Sequence, residues 1–518
     1  MVCAINKIDS NITGLAFAEE VCLKQLPTTA ADGFDPTWYA LEPNSYSDFG
    51  GEIATVARAP IDPSRQNKKG TITDLDASGG FNTDFTQNNL TRLLQGFFFA
   101  DARQPASTQP LNGTKIPVTG VVSSTKTYSA ASGLTIFGVS QLVEATGFTN
   151  ASNNGVKTVA TSATGAITVA ETLVDEASPP TTAKIDRVGF QFSSADINIA
   201  VVGGIPSLTS TTATFTSLPD LFPGKWVFLG DDTAGNRFAN NVGFARIKTI
   251  AAKSLTFNDT TFTPVNETGT GKTIRFYVGT SIKNELLPSL IKKRSYNIER
   301  QLGLGFTATQ AEYLEGAVAN EFTLNVPQAD KLNADLSFIA SGNTQRSGDV
   351  GDEIKIGTRI SSLNESAFNT SSNIYRMKLS VNSNSSSNAT SLFGYATEAN
   401  ITIANGVSTD KAIGILGGFD VSLGNFEVSG SVTAYFTTVA AVKAVRNNAD
   451  VGLSFIGAAN NAGFIFDIPL LGLGGGRATV EKDQAVMLPL ETMGAQNANG
   501  YTMLYDNFPY LPNLAMPL

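Results

Sequence analysis

Between Phe322 and Phe338 the chain alternates apolar and polar side chains almost without a break. Phe322, Leu324 and Val326 interleave with Thr323 and Asn325. After a Pro327-Gln328 turn, Leu332, Ala334, Leu336 and Phe338 interleave with Asn333, Asp335 and Ser337. A period of two belongs to strands whose two faces see different surroundings, so this stretch predicts a long hairpin with one apolar and one polar face. Phe419 to Phe436 repeats the plan: Phe419, Val421 and Leu423 lead through Gly424-Asn425 to Phe426, Val428, Val432 and Phe436. Helical periodicity is rare by comparison. Leu90, Leu93, Leu94, Phe97 and Phe98 make one apolar stripe, with Asn88 or Asn89 placed to cap it, and a second helix is expected near Thr438–Asn447. Ahead of the first helix, Gly70 to Thr86 reads as short β-prone runs broken at Ser78-Gly79-Gly80.

The same elements recur along the chain. Gly155-Val156-Lys157-Thr158-Val159 followed by Ala166-Ile167-Thr168-Val169 parallels Gly243-Phe244-Ala245-Arg246-Ile247 followed by Ser254-Leu255-Thr256-Phe257. Val159 and Ile247, Ile167 and Leu255, Val169 and Phe257 keep one spacing, each copy behind an Asn-rich turn, Asn153-Asn154 or Asn240-Asn241. This predicts two small inserted β modules, 111–185 and 186–280. On a larger scale, Ser78-Gly79-Gly80-Phe81 through Phe85-Thr86 lines up with Ser429-Gly430-Ser431-Val432 through Phe436-Thr437, each ahead of a helix. The expected class is mainly β: two β-sandwich domains, each with a flanking helix, plus the inserted modules. The first sandwich takes 1–110 and 281–350, split by the insertion, and the second takes 351–518. The polar run Asn382 to Thr390 reads as a loop.

Composition narrows the function. Charged residues are 16% of the 518, against about 25% in average soluble proteins. The 36 basic and 45 acidic residues leave a net charge of −9. Strong affinity for nucleic acid rests on clustered Lys and Arg, so such a chain would not grip DNA but could line a path along which DNA slides. There is no histidine, which removes His-based triads, His general bases and His metal sites. Enzyme chemistry would be left mostly with paired carboxylates, as in glycosidases. Two cysteines, Cys3 and Cys22, cannot scaffold this length and are read as reduced thiols. The opening residues show no basic start before an apolar run, and no stretch approaches the ~20 apolar residues of a membrane span.

Motifs with known chemistry fail on inspection. Gly269-Thr270-Gly271-Lys272-Thr273 has Asn266 where a phosphate-binding loop needs glycine, and a strand rather than a helix is expected after it. Gly472-Leu473-Gly474-Gly475-Gly476 places Arg477 at the third glycine of a dinucleotide pattern. Asp231-Asp232 begins no alternating acidic series. No catalytic residue, cofactor or metal is therefore expected.

The strings Glu52-Ile53-Ala54-Thr55-Val56-Ala57-Arg58-Ala59-Pro60-Ile61, Ser64-Arg65, Lys69-Gly70 and Asp74-Leu75-Asp76-Ala77-Ser78-Gly79-Gly80-Phe81 resemble the opening of tail tube proteins of long-tailed, siphophage-type bacteriophages. So do Ala18-Glu19-Glu20, Trp38 and Leu41-Glu42-Pro43-Asn44-Ser45. The resemblance covers about the first 100 residues, is weaker over 281–345, and is one of style beyond. It implies a structural virion protein whose β-sandwiches form rings that stack into a hollow tube for DNA passage. Two sandwiches per chain imply a homotrimeric ring with pseudo-sixfold symmetry. The implied partners are other copies, the tape measure, terminator and tip proteins of the tail, and transiently passing double-stranded DNA, with no membrane insertion. The implied location is the virion tail, assembled in the host cytoplasm. On this basis Asn333, Asp335 and Ser337, with Glu427, Ser429, Ser431 and Thr433, are candidates to face the lumen. The aromatic chain end, Tyr501, Tyr505, Phe508 and Tyr510, closes a sheet in this subunit or in a neighbour and is the candidate inter-subunit arm. The alternative is a secreted or surface β-rich adhesin or carbohydrate-binding protein.

Overall fold

The computed structural model describes residues 8–28, 36–61, 63–102, 115–193, 196–303 and 309–517; Cys3 lies outside them. In chain order β1 (Thr13–Glu19), β2 (Thr37–Leu41), β3 (Pro43–Arg58) and β4 (Lys68–Asp84) lead into helix α1 (Thr91–Phe97). Then come β5 (Ile116–Pro117), β6 (Gly120–Val122), β7 (Thr127–Ser129), β8 (Gln141–Thr146), β9 (Gly155–Ala163), β10 (Ala166–Val169) and β11 (Lys184–Phe192). The next run is β12 (Ile197–Val202), β13 (Ile205–Ser210), β14 (Trp226–Leu229), β15 (Gly243–Ala251), β16 (Ser254–Thr260), β17 (Glu267–Thr268), β18 (Ile274–Val278) and β19 (Thr280–Lys283). Beyond these lie β20 (Tyr296–Leu302), β21 (Gln310–Val326), β22 (Asn333–Ala340), β23 (Gly342–Ser347), β24 (Thr358–Ile360), β25 (Ile374–Val381) and β26 (Ala396–Ala404). The chain ends with β27 (Ser408–Lys411), β28 (Gly418–Ser422), β29 (Glu427–Tyr435), helix α2 (Ala440–Arg446), β30 (Val451–Ala459), β31 (Ala462–Gly475), β32 (Met487–Gly494) and β33 (Leu504–Phe508). The protein is mainly β, and α1 and α2 are the α-helices among the described residues. Two compact units divide it. The first takes Met1–Ala100, Leu287–Phe368 and Glu398–Val432; the second takes Asp101–Leu286, Asn369–Thr397 and Thr433–Leu518.

In the first unit the 17-residue strand β21 serves two sheets. Its N-terminal half pairs with β20 and β23, and its C-terminal half with β22 and β26. β22 continues to β4, and β4 to β3, while β1 joins β2 and β20. The apolar faces meet α1: Phe97 lies 5.7 Å from Phe322 and 5.4 Å from Phe338, ring to ring, and Phe81 stacks on Phe338 at 6.2 Å. Leu90, Leu93, Leu94, Phe97 and Phe98 are all buried, as their spacing predicts.

Three local expectations need correction. Gly70–Thr86 is not broken at its glycines, because β4 runs on through them. A Cβ at Gly79 would stand 2.6 Å from Leu314 Cδ1, and one at Gly80 2.7 Å from the Leu336 carbonyl, so the glycines admit neighbouring layers instead of ending the strand. The asparagines do not cap α1, whose N-cap is Leu90 without a side-chain bond. Asn89 instead closes the preceding turn, donating to the Asp84 carbonyl (2.7 Å) and accepting from Thr86 N–H (3.2 Å), while Asn88 Nδ2 donates to Glu365 (2.7 Å). Finally, Phe419–Leu423 does not pair with the strand after it. β28 pairs with β27, since the intervening Gly424 docks its N–H on the Asn405 carbonyl at 2.9 Å and turns the chain away.

In the second unit, the two halves of the 115–280 region repeat one strand order. β11–β8–β9–β10–β7–β6 is matched by β18–β14–β15–β16–β13–β12, and β11 pairs with both β8 and β18, joining the halves into one sheet. Val159, Ile167 and Val169 sit in the core of the first half; Ile247, Leu255 and Phe257 sit in that of the second. The opposite face of this sheet is also apolar. Trp226, Phe228 and Phe244 pack with Ile456, Ile465, Phe508 and Leu511, so Trp226–Leu229 is buried on both faces and reads as a continuous apolar run.

Candidate assembly surfaces

The sequence-predicted polar face exists and is wider than the hairpin that suggested it. Along β22, Ala334, Leu336 and Phe338 are buried, Asp335 is exposed, and Asn333 and Ser337 are half-buried. Cross-strand partners share a face, so the register extends this one: Asp335 faces Asn82 on β4 and Thr323 on β21, and Asn333 faces Asp84 and Asn325. Thr323 and Asn325 then face Thr402 and Asn400 on β26, while Asn82 faces Ser45 on β3.

Side-chain amides stitch this face together. Asn82 Nδ2 donates to Asn333 Oδ1 (2.9 Å) and Asp335 Oδ1 (2.7 Å); Asn325 Nδ2 donates to Asn333 Oδ1 (3.0 Å) and Asp335 Oδ2 (2.6 Å). Asn44 Nδ2 reaches Asp84 at 2.6 Å, and the Thr323 and Thr402 hydroxyls are 2.9 Å apart. Ser431, from the second predicted set, brings its N–H to Asn400 Oδ1 at 2.8 Å. On β29, Glu427 and Ser429 are exposed, Ser431 and Thr433 half-buried, and Val428 and Val432 buried. Asn82 and Asn400 were missed by sequence reasoning, because only pairing reveals that β4 and β26 lie beside this hairpin, whereas Asn325 belongs to the polar face the alternation predicted.

Where β3 and β4 run on together, residues Glu52 to Arg58 and Thr71 to Thr73 are exposed on both faces. Ile53, Val56 and Ile72 are each more than half exposed, and the register pairs Thr55 with Ile72 and Val56 with Thr71.

The chain end behaves as an internal strand. β33 lies between β31 and β19, pairing Tyr505 with Phe466 and with Ile282. Tyr501, Tyr505 and Phe508 are fully buried in the second unit, and Tyr510 is half-buried with its ring 5.4 Å from Tyr277.

A polar cleft of about 300 Å³ in the second unit is lined by Arg246, Lys248, Asn258, Asn382, Asp450 and Tyr501, among others. Asp450 is the one acidic side chain in that lining, whereas glycoside hydrolysis needs a facing carboxylate pair. Among the described residues no three His, Cys, Asp or Glu side chains converge to hold a metal ion, and no helix is long and apolar enough to cross a membrane.

No curated protein matches the chain. The family model described as phage tail tube protein matches residues 212–494, just over half the chain and largely beyond the opening residues that carry the sequence resemblance. The chain belongs to the phage tail tube proteins, structural components of the virion tail that assemble into a multimeric tube with other tail proteins, and it is not an enzyme.

Proposed function

We propose that this chain assembles with itself into stacked rings whose hollow centre carries phage DNA, and that the polar face around Asn333 and Asp335 lines that centre. The observation that carries the reading is the breadth of the face. Strands from β3 to β26 present Ser, Thr, Asn and Asp with no lysine or arginine among the cross-strand partners named above, and Lys331 pairs with Asp84 (2.7 Å) at one end of the face. Such a wall is well hydrated and repels phosphate mildly, so DNA can move along it without being held. Ser337, Glu427, Ser429, Ser431 and Thr433 extend it in this reading. We further propose the four-segment domain plan, with sandwich domains in 1–110 plus 281–350 and in 351–518. Two sandwiches per chain give a homotrimeric ring with pseudo-sixfold symmetry. The tape measure, terminator and tip proteins would contact its inside and ends, and assembly would take place in the host cytoplasm.

Negative-stain electron microscopy of the purified protein, concentrated and mildly heated, tests the proposal. Hollow tubes or stacked rings are expected, with end-on views showing three chains. Monodisperse monomers under all such conditions would overturn self-assembly, and true sixfold rings of single chains would overturn the trimer.

A further inference from the structure

In the first unit a lysine, a carboxamide and carboxylates converge in one largely buried cluster. Asn297, on β20, is fully buried beside β1, where it pairs with Ala18. Its Nδ2 donates to Glu20 Oε1 at 2.5 Å. Glu20 is fixed in turn by Ser295 Oγ (2.6 Å) and the backbone N–H groups of Gly316 and Lys24 (each 2.8 Å). On the other side of the carboxamide, Lys355 Nζ lies 2.6 Å from Asn297 Oδ1 and 2.6 Å from Glu315 Oε1, over the ring of Tyr313 at 4.6 Å. Tyr313 and Trp38, edge to face at 5.9 Å, are fully buried, and Lys355 and Glu315 side chains are 14% and 19% exposed.

The strap that carries Lys355 is anchored at three points. Lys355 N–H donates to Tyr313 Oη (3.0 Å), Trp38 Nε1 donates to the Ile356 carbonyl (3.0 Å), and Arg359 pairs with the buried Glu299 (2.6 Å). The amine is thus presented to one carboxamide and has little freedom to leave it, which is the condition under which an intramolecular reaction gains most.

We propose that Lys355 and Asn297 form an intramolecular isopeptide bond in the folded protein. Glu315 accepts one proton from the Lys355 ammonium, and the freed amine adds to Asn297 Cγ. Collapse of the tetrahedral adduct breaks the Cγ–Nδ2 bond. The departing nitrogen takes the second amine proton and the proton held by Glu315, and leaves as ammonium. No oxidant or cofactor is consumed. Glu20 orients the leaving nitrogen through its hydrogen bond, and the buried aromatic walls keep water from competing. The product ties the strap to β20, making permanent a contact between residues 58 apart in sequence.

Mass spectrometry of the full-length purified protein, denatured after folding, decides the matter. The expected mass is about 17 Da below that of the sequence, one ammonia lost. Trypsin should fail to cut at Lys355 and yield Ser295–Arg300 joined to Ser347–Arg359, a linkage that distinguishes this loss from succinimide formation at an Asn-Gly step. Lys355→Arg and Glu315→Gln should each retain the full mass. A wild-type chain of full mass, cleaved normally after Lys355, would overturn the proposal, as would an undiminished cross-link in Glu315→Gln.

Discussion

Arg246 on β15 donates to both carboxylate oxygens of Asp467 on β31, at 2.9 and 3.2 Å, with both side chains buried. Burial pushes the Asp467 carboxyl up to about 6, against the pull of Arg246. A buried pair of this kind repays its desolvation only while both partners are present. Asp467→Ala should therefore cost about 3–5 kcal/mol in chemical denaturation, whereas Arg246→Met with Asp467→Leu should recover most of that loss. Equal damage from the single and the double variant would show that shape, and not charge, dominates here.

Asn153 and Asn241 do the same work in the two halves of the 115–280 region. Each brackets a backbone position, Val174 or Val265, through both N–H and C=O, and donates to a glutamate, Glu176 or Glu267, at 2.9 Å. Both asparagines are fully buried. Replacing either by Ala strands a buried N–H and C=O, so each should cost about 2–4 kcal/mol, and the two costs should match within about 1 kcal/mol. Urea titrations of the two variants would check this.

Glu144 supplies a pH dependence. Burial raises its carboxyl to about 7, with Lys115 opposing and Asp186 adding to the rise. A carboxyl that holds its proton more tightly when folded binds protons in the folded state first, so stability falls as pH rises from the ordinary value near 4.5 to about 7. Glu144→Gln should stabilise the protein by about 1–2 kcal/mol at pH 8 and by almost nothing at pH 4.5. A constant difference across that range would refute the assignment.

Ile53 and Ile72, exposed on the shared length of β3 and β4, have no core role to lose. Changing both to Asp should shift the unfolding midpoint little, within about 0.5 kcal/mol. It should nevertheless suppress assembly if these strands meet a neighbouring copy. Sedimentation velocity and electron microscopy together separate the two effects.

Asp335 tests the proposed lumen. In tubes built from Asp335→Lys, DNA passage should slow and DNA binding should become salt-sensitive, because a ring of cations would hold phosphates. Unchanged ejection kinetics would place this face elsewhere.

Much of this was legible in the residues. The period-two pattern of Phe322–Phe338 predicted the hairpin and its faces, and the spacing of Leu90 to Phe98 predicted a buried helix stripe. The spacing shared by Val159 and Ile247, Ile167 and Leu255, and Val169 and Phe257 predicted repeated halves. What failed was local punctuation. Gly79 and Gly80 read as a break because their use in close packing depends on Leu314 and Leu336, far away in sequence. Phe419–Leu423 read as half of a hairpin because its true partner, β27, has no apolar alternation to advertise it.

The sequence alone determined the class of fold and the buried side of strands that alternate, such as Phe322–Phe338, because alternation is a property of a single segment. Only the tertiary structure decided which strands beyond that hairpin lie side by side: that Asn82 meets Asp335, that Arg246 meets Asp467, and that Lys355 meets Asn297. Those pairings join residues tens to hundreds of positions apart, and no local period encodes them. The chain end shows the same division. Its aromatic content required burial, but no local period encodes the pairing of β33 between β31 and β19.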